Sequence, residues 1–179
     1  MRPQFLGHGR VQGVGHRPVV GEVSQSTVPE SGRFERRFTV GWADVDGNAH
    51  MANTAFLDRA ADTRMLYFAA QGASPARLNE QRIGPVIVRD ALVYRKELRF
   101  LDEFTVDIEL LGRSPDGVRF EISNTFRNSA GEVAAIVTSE GLWFDLEHRR
   151  PRPPTPEAIA AQAAMPRSDR FKELPSRPT

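Results

Sequence analysis

The 179-residue sequence contains no cysteine, which removes a disulfide framework, a thiolate nucleophile and any cysteine-held metal. It has no apolar run near the roughly 20 residues that cross a bilayer, and its first residues lack the apolar stretch of a signal peptide. Neither sign of charge is in excess: 24 Lys and Arg face 23 Asp and Glu, a net +1, too weak a field to draw nucleic acid or an anionic membrane. The four histidines, at positions 8, 16, 50 and 148, show no metal-ligand spacing, and no serine stands in a Gly-x-Ser-x-Gly turn. These absences predict a cytoplasmic protein with no nucleic-acid, membrane or metal partner and no serine or cysteine acyl-enzyme.

What is present fills a single core, since 179 residues with 40% hydrophobic content suit one domain better than two. Phe34, Phe38, Val40 and Trp42 fall at even spacing and predict a strand. Asn53 to Ala70 has no Gly or Pro, and Phe56, Leu57, Ala60, Ala61, Arg64, Tyr67 and Phe68 recur at steps of three and four, so a helix of roughly 27 Å is expected, with Asn53 as its N-cap and Gly72 as its stop. Ala73 to Arg82 reads as a polar connection. Gly84 to Phe100 and Glu132 to Leu146 read as long strands. Between them, Phe104 to Leu110 and Val118 to Arg127 alternate apolar and polar residues, separated by the Ser114-Pro-Asp-Gly117 turn. One helix among long strands predicts an α+β fold in which an antiparallel sheet of about five strands curls around the helix. The uncovered face of that sheet and the edge at Pro85 to Val88 are expected to need cover, which predicts a homodimer or homotetramer.

Most of the reactive side chains lie where the first strand gives way to the helix, in Trp42-Ala-Asp44-Val-Asp46-Gly-Asn48-Ala-His50-Met-Ala-Asn53. A carboxylate in a loop beside a helix N-terminus suits thioester hydrolysis. The carboxylate attacks the carbonyl or activates water, and the helix N–H groups hold the developing oxyanion.

Asp44-Val-Asp46, then His50-Met-Ala-Asn53, then the helix through Arg64 resemble the signature of the hotdog-fold acyl-CoA thioesterases of the 4-hydroxybenzoyl-CoA thioesterase type. Tyr94-Arg-Lys-Glu-Leu-Arg-Phe-Leu-Asp102-Glu-Phe-Thr-Val106 is similar to that family's second block. Departures are Ala52 for the first Asn of an Asn-Asn pair, Ala49 for the Gly before the His, and Ala61 and Asp62 for helix glutamates. The resemblance implies a hotdog fold over residues 33–152 and a thioester hydrolase acting on acyl-CoA or an acyl-carrier protein without a further cofactor. By position it places the nucleophile or general base on Asp46, the carbonyl-polarising N–H near Asn53 and a loop histidine at His50. It leaves Asp44 as a brace and Arg64 as a structural partner. Arg95, Lys96 and Arg99 are candidates for the nucleotide phosphates, whereas Arg149, Arg150 and Arg152 read first as a solvated basic tail. The alternatives are a non-catalytic acyl-thioester-binding hotdog protein and a hotdog dehydratase using His50.

Residues 1–32 read as an extension or linker. Gly9 to Arg17 resembles the phosphate loop of acylphosphatases, but about 33 residues are too few for such a domain. Residues 153–179 read as a Pro-rich tail in which Glu157 to Ala164 can form a short helix. Neither residues 1 to about 30 nor residues 157–179 carry an apolar period, and both stretches are expected to be dispensable for folding.

Overall fold

The structure is a computed structural model that describes residues 33–176, so the expected extension over 1–32, with Gly9 to Arg17, lies outside the described residues. The elements run β1 (Glu35–Thr39), a 3₁₀ turn (Trp42–Asp44), α1 (Asn53–Ala70), α2 (Pro75–Glu80), β2 (Ile83–Tyr94), β3 (Glu103–Asp107), β4 (Glu109–Arg113), β5 (Arg119–Asn128), β6 (Val133–Asp145), β7 (Arg150–Pro151), α3 (Pro156–Ala164) and β8 (Arg167–Glu173). All eight strands join one sheet. The expected five strands are five ladder positions. β3 and β4 are one strand broken at Ile108, with β1 beside its first half and β8 beside its second. β5, β6 and β2 follow in that order, and β7 continues alongside β6. Every pairing is antiparallel except β4 with β8.

The long helix α1 spans the residues expected of it and turns Ala55, Phe56, Ala60, Thr63, Arg64, Tyr67 and Phe68 inward. These meet the alternate residues of the central strands, Phe120, Ile122, Asn124 and Phe126 on β5 and Ala135, Val137, Ser139 and Trp143 on β6. Phe56 sits edge-on to Phe126 at 5.2 Å and Phe68 edge-on to Trp143 at 5.5 Å, so aromatic contacts hold both ends of the helix on the sheet. Between them Arg64 is buried. Its Nη1 donates to Ser139 Oγ at 2.8 Å and to Asn124 Oδ1 at 3.3 Å, and Ser139 in turn donates to Asp90 at 2.5 Å. Burial lowers the Arg64 pKa, and the Asp90 charge only partly opposes it. The helix arginine is thus a structural partner that reaches its counter-charge through a hydroxyl.

Four features depart from the sequence reading. The segment after 152 is built into the domain: Ala158, Ala161 and Met165 are fully buried in the same core as Phe68 and Trp143, and β8 extends the sheet. Its helix buries Ala158, Ala161 and Gln162, and β8, at a sheet edge, brings a single apolar side chain, Phe171, against the core, so neither shows the apolar period that marks a core element. Ala73 to Arg82 contains α2, started by Ser74, whose side chain accepts from the Arg77 N–H, and by Pro75 at the first helical position. Trp42 is 79% exposed, because the 3₁₀ turn ends the strand before its alternation reaches that residue. The sheet face away from α1 is mixed rather than apolar, with Glu121, Ser123, Thr125, Thr138 and Glu140 among its side chains, and Lys172 of β8 pairs with Glu121 at 2.6 Å.

Candidate active site

The loop between β1 and α1 is fixed mainly through Asp44. Its carboxylate accepts from the Gly41 N–H at 2.9 Å and from Arg59 Nη2 at 2.9 and 3.1 Å, so one side chain ties the 3₁₀ turn to the first turns of α1. Burial alone would lower the Arg59 guanidinium, but the hydrogen bonds and charge of Asp44, helped by Asp62, hold its pKa above the ordinary value.

Beyond Asp44 the chain makes a closed turn. Asp46 Oδ1 accepts from the Asn48 N–H at 2.8 Å, the Asp46 N–H donates to the His50 carbonyl at 2.9 Å, and the Ala49 N–H donates to the Asp46 carbonyl at 3.0 Å. Ala49 adopts a φ of 61°, the left-handed region that glycine enters without strain and alanine does not. Met51 then donates to the Leu98 carbonyl at 2.7 Å, and His50 pairs with Arg99 in an isolated bridge, so the turn lies against the β2–β3 connection.

The helix begins at Asn53, with Ala52 rather than Asn53 in the capping position. Alanine has no acceptor, and no side chain caps the helix. Asn53 Oδ1 accepts only from the adjacent Thr54 N–H, at 2.9 Å. The positive end of the α1 dipole therefore faces the loop without a bound carboxylate.

Next to this start lies an open cavity of about 300 Å³, walled by His50, Met51, Phe56, Tyr94, Arg95, Lys96, Glu97 and Leu98. Phe56 and Tyr94 meet edge-on at 5.5 Å and form its apolar side. His50 Nε2 stands 3.0 Å from Glu97 Oε2. A neutral imidazole that donates Nε2–H to this carboxylate leaves Nδ1 as an acceptor. Of the residues singled out from sequence, His50, Arg95 and Lys96 come together here. Arg99 pairs with Glu97 at 3.3 Å, and Lys96 pairs with Glu132 at 2.7 Å. Asp46 and Asn53 are exposed and lie beside the cavity's histidine rather than in its wall. Among the described residues no three His, Asp or Glu side chains converge as metal ligands.

Residues 40–163 match the thioesterase-like superfamily. The chain belongs to that superfamily. The enzyme class expected from the sequence, a thioester hydrolase, is the class of this family. No curated protein sequence matches the chain. Among solved structures, the chain is similar to a 1,4-dihydroxy-2-naphthoyl-CoA thioesterase from Synechocystis, at 14% identity and a TM-score of 0.66 over 73% of this chain and 96% of that one. It is also similar to a Staphylococcus aureus protein in complex with CoA, at 17% identity and a TM-score of 0.67 over 82% of this chain and 96% of the other. A DHNA-CoA thioesterase from Staphylococcus aureus shares 17% identity and a TM-score of 0.66 over 72% and 87% of the two chains. With the curled sheet and its single long helix, these similarities identify the hotdog fold. No described helix is long and apolar enough to cross a membrane.

Sequence reasoning missed Glu97, which sits in the Arg95-Lys-Glu-Leu-Arg99 run and reads there as one charge of a turn. Its relation to His50 depends on the bridge between His50 and Arg99, 49 positions apart, which no local pattern encodes.

Proposed function

We propose that this chain hydrolyses an acyl-CoA or acyl-carrier-protein thioester to a free acid and a thiol, with Asp46 as nucleophile or general base and the α1 N-terminal N–H groups as the oxyanion site. The observation that carries the reading is the uncapped start of α1 at Ala52–Asn53, set directly after a turn that fixes Asp46 and beside the His50–Glu97 cavity. Thioester attack places negative charge on one oxygen, and unpaired helix N–H groups stabilise such charge without reorganisation. The leaving thiolate is stable enough that no strong general acid is required, which leaves His50, held by Glu97, to orient the thioester or move a proton at Nδ1. The phenyl and phenol rings of Phe56 and Tyr94 offer an acyl group its apolar contact.

The second reading, a non-catalytic thioester-binding protein, draws on the exposure of Asp46. Release of free thiol from a panel of acyl-CoAs separates the two. Asp46→Asn keeps the shape of the turn and is expected to lower kcat by about 10²–10⁴-fold. Asp44→Asn is expected to act on stability, by about 1–2 kcal/mol through its bonds to Arg59 and Gly41. Near-native turnover in Asp46→Asn would move the chain to the binding class.

The functional unit in this reading is a homodimer joined through β2. That strand pairs only with β6 among the described residues, and Val88, Val93 and Tyr94 on it are exposed. An active monomer at micromolar concentration in sedimentation would refute the dimer.

A further inference from the structure

Folding leaves one group of large apolar side chains without a use. Trp42, Phe100 and Leu101 belong to neither core cluster, and none of them lines the cavity at the start of α1. Trp42 is 79% exposed, Phe100 44% and Leu101 66%, and the rings of Trp42 and Phe100 meet edge-on at 5.6 Å, so the three form one patch and not scattered surface residues. All three lie outside β2, the strand assigned above to the dimer.

The patch is held out on a rigid tip. The Leu101 N–H donates to the Val40 carbonyl at 3.0 Å, and the Val40 N–H donates to the Asp102 carbonyl at 2.9 Å, which ties the turn after β2 to the one that carries Trp42. That turn is closed by the Arg99 N–H on the Asp102 carboxylate at 2.8 Å and by the Asp102 N–H on the Arg99 carbonyl at 2.9 Å. Within it Leu101 adopts a φ of 68°, where glycine or asparagine fits and leucine is strained. A large apolar residue that costs backbone strain and adds nothing to the core points to a role outside folding.

The surroundings of the patch suit a phospholipid surface. Arg95, Lys96 and Arg99 stand on the same connection, and Glu97 alone opposes them between Arg95 and Leu101. Cations therefore rim an apolar tip, in the order in which lipid phosphates lie above acyl chains. Glu132 and Glu97 hold Lys96 and Arg99, which leaves the rim too neutralised to retain an acidic protein by charge. The side chains also project from two turns, so a protein partner would have to supply a groove, and a bilayer needs none. The net charge of +1 is no obstacle, because burial of apolar side chains supplies the affinity and not attraction to an anionic surface.

We infer that Trp42, Phe100 and Leu101 form a lipid-docking tip that inserts into the interfacial layer of a phospholipid bilayer. The bridge of His50 with Arg99 puts the candidate active site on the same two turns, so docking sets its cavity beside the lipid. The docking does not depend on the thioesterase reading.

The full chain has two tryptophans, and Trp143 is fully buried, so emission open to a quencher reports on Trp42 alone. Acrylamide should quench it freely in buffer. Vesicles of phosphatidylcholine should shift it to the blue and protect it, and added phosphatidylglycerol should strengthen binding only slightly. In flotation, Trp42→Ser and Leu101→Gly should each bind the vesicles at least about tenfold more weakly. Leu101→Gly should melt no lower than the parent, because glycine enters this φ without strain, so its loss of binding is not a loss of fold. Trp42 shielded from acrylamide before lipid is added would mean that another copy or another part of the chain covers the patch, and overturns the inference. So does a parent that ignores phosphatidylcholine, or one whose binding needs phosphatidylglycerol, vanishes in salt and survives Trp42→Ser. Protection of Trp42 by an acyl-carrier protein and not by vesicles would assign the patch to a protein instead.

Discussion

Tyr67 on α1 donates from its hydroxyl to the main-chain carbonyl of Ala161 on α3 at 2.8 Å, joining the central helix to a segment 94 residues further along the chain. The phenol is 2% exposed, and burial pushes its pKa up to about 12, so it remains a donor at any pH at which the protein is handled. Tyr67→Phe leaves the Ala161 carbonyl without this donor and is expected to cost about 1 kcal/mol in urea unfolding. Truncation after Arg152 should do far more. It removes Ala158, Ala161 and Met165 from the core and β8 from β4, and the product is expected to lose its cooperative transition. A truncated chain that melts as sharply as the parent would show that α3 and β8 merely decorate the sheet.

Glu97 and His50 are expected to act as one unit. His50→Ala and Glu97→Ala should each lower kcat by about 10²-fold, and the double variant should be little worse than either. Losses that add in the double-mutant cycle would mean that the carboxylate serves another group.

Asp107 gives a pH-dependent prediction. Burial is the largest influence on it and raises its pKa above the ordinary carboxyl value, although the Thr125 N–H donates to it at 2.9 Å and Arg127 and Arg33 lie nearby. A carboxyl raised in the folded state holds its proton more tightly folded than unfolded. Its contribution to stability is full below the unfolded value and is lost as the pH rises through the folded one. Asp107→Asn keeps an acceptor for Thr125 and cannot ionise, so its Tm should equal or exceed the parent's at about pH 7.5 and lose that advantage near about pH 4. A variant that is less stable at the higher pH only would reverse the sign and refute the argument.

Gly141 tests the packing between β2, β5 and β6. A Cβ there would lie 2.5 Å from Phe120 Cζ and 2.9 Å from the Val86 carbonyl oxygen, one a buried ring and the other backbone. Gly141→Ala should therefore cost about 1–3 kcal/mol. Gly47→Ala, where nothing lies within 4 Å of the new atom, should stay within about 0.5 kcal/mol. Equal stability of the two variants in chemical denaturation would show that β2 moves aside freely.

The elements that carry large apolar side chains at a regular period were readable from the sequence. α1 and the two central strands announce themselves in Phe56, Tyr67 and Phe68 and in Phe120, Ile122 and Phe126. The burial of the short helix expected over Glu157 to Ala164, and the strand β8, were not readable. α3 packs through two alanines and Gln162, and β8 reads Arg-Ser-Asp-Arg-Phe-Lys-Glu, where Phe171 alone reaches the core, because a sheet edge at the surface asks for no continuous apolar face. At the candidate site, the loop residues could be read because they are contiguous, from Asp44 to Asn53. Glu97 and Tyr94 could not, because only the antiparallel bridge of His50 with Arg99 brings that connection to the loop.

The two borders of the sheet differ in kind. On one side β1 and β8 present Glu35, Arg36 and Arg37 and then Arg167, Asp169, Arg170, Lys172 and Glu173, a fence of alternating charge that a foreign strand would have to desolvate. On the other, β2 offers exposed valines and a tyrosine. Growth of a sheet by stacking molecules side by side needs two receptive borders on each molecule, and this one has a single such border. Among the described residues the sheet therefore offers strands a valence of one, and a dimer of the kind proposed above would close on itself rather than propagate.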